Sequence, residues 1–300
     1  MKNEMGLPIL ERFFVKNIST NFLNEYSNTP KIDPSYGEIK KERFSPSDLK
    51  EYSLMSHYDK NKIYYKLNKH GHRCEEFETL NKNKTNILFA GCSVTFGEAL
   101  PEGYTWDNHV YNKIKKINSN IGPFHSLGYP GNGTDHIVDN IIGYCNNFGN
   151  PNIIYVLLPD YGRMKYWDSN LQSFETIYSN SEIDYSLNQK DLHDFLLECV
   201  RSIQRLEYYC TINNISLFLT SWDAPTSYIL SKLNLKCFIS LYNSEENPQL
   251  LYPLDYKTEV EPYSGCDFLF DAADSQHYGL MGQLSFAKTI YEKSKETGVI

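Results

Sequence analysis

A three-layer α/β domain built on a parallel sheet is the fold this chain predicts, and three observations carry it. Short apolar runs at 86–91, 153–158 and 215–220 alternate with longer stretches whose apolar residues recur at helical spacing. The runs are continuously apolar, as strands covered on both faces are. Each ends abruptly in small or polar residues: Gly91-Cys92-Ser93, Pro159-Asp160 and Ser221-Trp222-Asp223. In an open α/β sheet, that is the end at which ligands bind.

The composition narrows the class. The chain has 300 residues, enough for one large domain or two small ones, and 41% of them are hydrophobic, enough for a real core. A net charge of −8 argues against a nucleic-acid partner, which calls for a basic footprint. The 7 cysteines have no C-x-x-C pairs, which fits reduced thiols and offers no zinc pattern. Met1 to Asn17 has no sustained apolar segment and no stretch approaches a membrane span, so a soluble, cytoplasmic protein is expected.

In chain order, residues 1–60 are polar and broken by Pro30, Pro34 and Pro46, with Ser47-Asp48 able to cap a short helix through Met55. Residues 1–85 read as an N-terminal extension packed on a main domain at 86–300. His70 and His72 share a face if their segment is a strand, but no third metal ligand is evident, and an exposed turn is expected. Trp106, Val110, Ile114 and Ile117 predict an amphipathic helix over 104–116. A weak strand at His125-Ser126-Leu127 leads into the glycine-rich Gly128-Tyr129-Pro130-Gly131-Asn132-Gly133-Thr134, and a helix opens at Thr134 or Asp135. Residues 165–187 read as an irregular aromatic loop on the crevice side. A long helix is expected over 189–213, a fifth strand at 235–241, and a closing helix over 279–295 with Leu280, Leu284, Ala287 and Ile290 inward.

Two stretches carry chemistry. Ser93 stands where the first strand gives way to a loop, with Gly91 and Gly97 around it. At the far end stand Asp274 and, three residues on, His277. A serine nucleophile needs a base, and the base needs an orienting group; Asp-x-x-His supplies both from one turn.

With these residues in view, Gly91-Cys92-Ser93-Val94-Thr95-Phe96-Gly97 and Asp274-x-x-His277 resemble the first and last blocks of the SGNH/GDSL hydrolase family, G-D-S-x-T-x-G and D-x-x-H, with Cys92 in place of the usual Asp. The likeness runs from about residue 86 to about 292, and Asn68-x-x-Gly71-x-Arg73 looks like an element many relatives carry ahead of the first block. It implies a three-layer α/β/α sandwich with a five-stranded parallel sheet in the flavodoxin-like order 2-1-3-4-5. It also implies ester hydrolysis through an acyl-enzyme, with Ser93 as nucleophile, His277 as base and Asp274 as orienter. The backbone N–H groups of Ser93 and Gly131 would form the oxyanion hole, and no metal or cofactor is called for. The implied partner is a small-molecule or carbohydrate ester, such as an O-acyl or O-acetyl sugar.

One block departs from the pattern. The family places G-x-N-D after its central strand, with the Asn donating to the oxyanion; this chain has Pro159-Asp160-Tyr161-Gly162-Arg163. An ionised Asp160 cannot donate a hydrogen bond. Asn132 and Arg163 are the candidate replacement donors. Asp160 and Trp222 are candidate substrate contacts, with core packing the alternative for Trp222. Two other functions stay open: acyl transfer by the same residues, and a binding or structural module that keeps the fold without activity.

Overall fold

The computed structural model describes residues 38–39, 65–68, 70–168, 173–178, 192–233, 235–242, 254–260, 262, 272 and 277–300. The helix expected after Ser47 and Asp274, the expected orienting residue, lie outside the described residues. Strand β1 (Glu38–Ile39) pairs antiparallel with β2 (Tyr65–Lys66). Then follow β3 (Ile87–Gly91), the single-turn α1 (Ser93–Phe96), α2 (Trp106–Ile117), β4 (His125–Gly128), α3 (Thr134–Phe148) and β5 (Ile153–Leu158). The chain continues through β6 (Arg163–Asp168), β7 (Ser173–Tyr178), α4 (Leu192–Ile212), β8 (Ser216–Ser221), α5 (Ala224–Lys232) and α6 (Leu280–Glu296).

The main sheet runs β4-β3-β5-β8 with every pairing parallel, so its strands lie in the order 2-1-3-4. Because side chains alternate across a strand, each continuous apolar run feeds two cores. Leu88, Ala90, Ile154, Val156 and Leu219 face α3 and α4. Ile87, Phe89, Ile153, Tyr155 and Phe218 face α2 and α6. On that second face, Phe89, Tyr155 and Phe218 stack across three strands, with centroids 5.4 and 5.0 Å apart and planes within 14°. Each such pair adds about 0.5–1.5 kcal/mol beyond the area it buries.

Four expectations are corrected. The fifth strand is a single parallel bridge, Leu219 to Phe238, made by Leu219 N–H to the Cys237 carbonyl and Ile239 N–H to the Leu219 carbonyl. A turn bond from Phe238 to Leu235 precedes it, and Ser240 Oγ accepts from Tyr242 N–H just after it, so the segment is bent at both ends. The stretch expected to be irregular after β5 contains the antiparallel pair β6–β7, with Trp167 opposite Phe174; aromatic and β-branched residues favour that conformation. Ile117 ends α2 at 61% exposed, one turn beyond the part that covers the sheet. The histidine turn is not exposed: His72 is 1% accessible, packed between Phe77 and Tyr129. The cysteines among the described residues are free thiols.

Burial holds the His72 imidazole down at about 4 instead of 6.5, and burial followed by the nearby Lys113 charge does the same to His109. The unfolded chain therefore binds more protons than the folded one between these values. Stability that is full above pH 6.5 is lost as pH falls towards 4. Urea midpoints should drop across that window, and His72→Gln and His109→Gln should each flatten the slope; a slope unchanged in both would show that neither ring is buried neutral.

Candidate active site

The site grows out of the end of β3. A Cβ placed on Gly91 would lie 2.0 Å from Thr95 Oγ1 and 2.8 Å from the Leu157 carbonyl oxygen, so the turn of α1 folds back onto the sheet only because residue 91 has no side chain. Ser93 opens that turn and is 5% exposed. Its carbonyl accepts from Gly97 N–H at 2.9 Å and Glu98 N–H at 3.1 Å.

So short a helix leaves later carbonyls without helical partners, although the Gly97 carbonyl also accepts from Leu100 N–H at 3.1 Å. Arg73 takes them: Nη1 donates to Phe96 and Gly97 at 3.2 and 2.9 Å, and Nη2 to Leu100 at 3.0 Å. Arg73 is itself aimed by a braced turn, in which Asn68 Oδ1 accepts from His70 and His72 N–H and Asn68 Nδ2 donates to the Glu75 carbonyl. The Asn68-x-x-Gly71-x-Arg73 element thus grips the serine turn from behind. A cavity of about 370 Å³ lies on that rear side, between Arg73, Asp107 and Ser126.

The other strand ends converge on the same edge. Tyr129 N–H bonds the Gly91 carbonyl at 3.2 Å, carrying the pairing of β4 past its last residue. Gly131 follows at φ 82°, a conformation that only glycine adopts without strain. Asn132 is 5% exposed, and its Nδ2 has no hydrogen-bond partner among the described residues. After β5, Arg163 Nε holds Asp160 Oδ2 at 2.6 Å, and the guanidinium lies 5.9 Å from the centre of the Trp222 ring. Trp222 Nε1 points at Cys92 Sγ, 3.4 Å away, and the same sulfur lies 4.0 Å from Ser93 Oγ. Trp222 also meets Tyr278 edge-on at 5.9 Å.

His277 reaches this edge from the far end of the chain. Its Nε2 lies 3.8 Å from Glu98 Oε2, and Glu98 is the residue whose N–H holds the Ser93 carbonyl. Ser93, Gly131, Asn132, Asp160, Arg163, Trp222 and His277 therefore all border the carboxyl ends of the strands. Reading the sequence missed Glu98, the link between serine turn and histidine; its only local signal is its place directly after Gly97. It also missed Cys92 as the shared contact of Ser93 and Trp222. Among the described residues, no group of three or more His, Cys, Asp and Glu side chains could hold a metal ion, and no helix is long and apolar enough to cross a membrane.

No protein-family model and no curated protein matches the chain. Several solved structures are similar to it. The psychrotrophic esterase EstA from Pseudoalteromonas sp. is 10% identical over 71% of this chain and 98% of its own, at a TM-score of 0.41. TesA is 9% identical over 72% and 99%, at 0.44. A carbohydrate acetylesterase family member from Sinorhizobium meliloti is 12% identical over 71% and 98%, at 0.41. Identities and TM-scores this low say nothing of chemistry, and what the crevice can do follows from its own residues.

If Gly91 is the closure point of the turn, Gly91→Ala should cost about 3 kcal/mol or more, roughly 6–12 °C in Tm. Gly103 is the control: its φ is 82° but an added Cβ would meet nothing within 4 Å. Thermal unfolding followed by circular dichroism should show Gly103→Ala losing far less than Gly91→Ala.

Proposed function

We propose that this chain is a serine ester hydrolase of the SGNH type. The observation that carries the proposal is the meeting of two segments far apart in sequence: His277 lies against Glu98, whose N–H bonds the Ser93 carbonyl. A histidine on the opposite face of the sheet would have ended the reading.

In the proposed cycle, Ser93 Oγ attacks the ester carbonyl carbon while the His277 imidazole takes its proton. Asp274 holds the imidazole tautomer. The carbonyl oxygen becomes an oxyanion, met by the N–H groups of Ser93 and Gly131. Collapse of this intermediate breaks the bond to the alcohol oxygen, which leaves with the proton from His277. Water then gives a proton to His277, attacks the acyl-serine, and releases the acid as Ser93 recovers its proton.

The third oxyanion donor is assigned to Asn132. Arg163 is engaged by Asp160, whereas Asn132 Nδ2 is a buried donor without a partner among the described residues. A buried amide in that state normally costs about 1–3 kcal/mol, a cost that an incoming oxyanion would offset. Arg163 instead neutralises Asp160, the carboxylate that would otherwise oppose the developing charge. The Trp222–Tyr278 pair supports a substrate with a ring face to stack, consistent with an O-acyl or O-acetyl carbohydrate. The reading as an inactive module draws on one observation, Asp160 in the place of a neutral donor, and the Asp160–Arg163 pair weighs against it.

The purified protein should hydrolyse p-nitrophenyl acetate or butyrate, and Ser93→Ala should lose nearly all turnover. Wild-type turnover in Ser93→Ala would refute the assignment, and absence of turnover on every ester would favour the binding module. Asn132→Ala should lower kcat by about 10²–10³. Asp160→Asn should stay within a few-fold of wild type. Arg163→Ala should be impaired and should recover when combined with Asp160→Asn; without that recovery, Arg163 is itself the donor.

A further inference from the structure

Helix α6 carries a glutamine on its inward face, Gln283, which is 1% exposed. Its side-chain amide bonds three backbone groups from three separate segments. Oε1 accepts from the N–H of Trp106, the first residue of α2, at 2.9 Å. Nε2 donates to the carbonyl of Val94, next to Ser93, at 3.2 Å. The same nitrogen donates to the carbonyl of Tyr278, next to His277, at 3.4 Å.

Neighbouring contacts reinforce this junction. The Trp106 indole donates from Nε1 to Thr95 Oγ1 at 3.1 Å, tying α2 to the serine turn. The Tyr278 ring lies on α6, edge-on to Phe286 at 5.0 Å and so close to Gly282 that a Cβ there would be 2.9 Å from it. A leucine at 283 would suit an apolar helix face but would leave two carbonyls and one N–H without these partners. A buried amide is retained at a site where all its polar atoms are used.

We infer that Gln283 is a positioning residue: by holding one carbonyl from each segment on a single amide nitrogen, it sets the spacing between the serine turn and the histidine loop. Its effect on catalysis rests on the esterase reading above; the strut itself does not. Misplacement by about 1 Å can cost about 10²-fold in rate, and Ser93 and His277 come from segments far apart in sequence.

The test uses Gln283→Met, which keeps length and volume but removes the amide, and Gln283→Glu, which when ionised keeps the acceptor for Trp106 N–H and loses both donations. Steady-state kinetics on p-nitrophenyl acetate are paired with amide hydrogen exchange read by mass spectrometry. In both variants kcat should fall about 10–100-fold with KM within about 3-fold, the pattern of an interaction that matters to the reacting geometry and not to ground-state binding. Exchange should quicken in peptides covering 93–98 and 277–282 and stay unchanged in 153–158 and 216–221. Residues 106–109 should loosen in the Met variant and stay protected in the Glu variant.

Wild-type kcat in both variants, or exchange that quickens throughout the sheet, would overturn the inference. If the Met variant fails to fold, the Glu variant decides alone. If wild type and Ser93→Ala are equally inert on every ester, the esterase reading falls separately. The strut then stands on local acceleration at both segments and falls without it.

Discussion

The crevice depends on how closely one turn of backbone can lie against the sheet that produced it. At the end of β3 the chain reverses into α1 with the Thr95 side chain and the Leu157 carbonyl occupying the space of a residue-91 side chain. Protein interiors are packed too densely to open such a space on demand. The position of Ser93 is therefore set by steric exclusion before any hydrogen bond is counted. The three-strand stack of Phe89, Tyr155 and Phe218 holds the underlying sheet rigid on one face. Nothing at the edge can be placed more accurately than the strands it stands on.

Closing a turn this tightly leaves carbonyl groups crowded and without helical partners, and electrostatics answers the geometry. Arg73 is suited to the task because its guanidinium presents several donors in a fixed plane and can serve the Phe96, Gly97 and Leu100 carbonyls together. A lysine would offer a point charge without that fan of directions. The same logic recurs at the end of β5, where Arg163 neutralises Asp160. Two arginines thus balance the electronegative groups along one rim of the sheet, one acting on backbone carbonyls and the other on a carboxylate.

Most of the scaffold was legible because its signals are local. Continuous apolar runs mark β3 and β5, and the spacing of Trp106, Val110 and Ile114 marks α2. Gly91 and Ser93 could be read from a single strand-to-turn transition. The features that escaped are set by bonds across space. Residues 235–241 have the composition of a strand, but turns on both sides leave only one bridge. In β6 and β7 the aromatic residues hid the alternation that would have declared a strand pair. Glu98 looked like an ordinary loop residue, since nothing near it in sequence announces a histidine far along the chain. Asn132 was legible as a polar residue in a glycine-rich loop, but only the packing shows that its amide nitrogen has no partner among the described residues.

The position of α6 in the chain has a consequence for the order in which the protein comes into being. Among the described residues every strand of the main sheet precedes it, so a growing polypeptide can assemble the four strands and the helices between them while His277 is still unmade or within the ribosome. Domains consolidate from the amino terminus during synthesis, and contacts of high sequence separation form late because loop closure must come first. The serine turn rests on its own strand, while the histidine arrives only with α6. A nascent chain that has released the four strands but not α6 would hold the serine turn without its histidine, and the docking of α6 would complete the crevice.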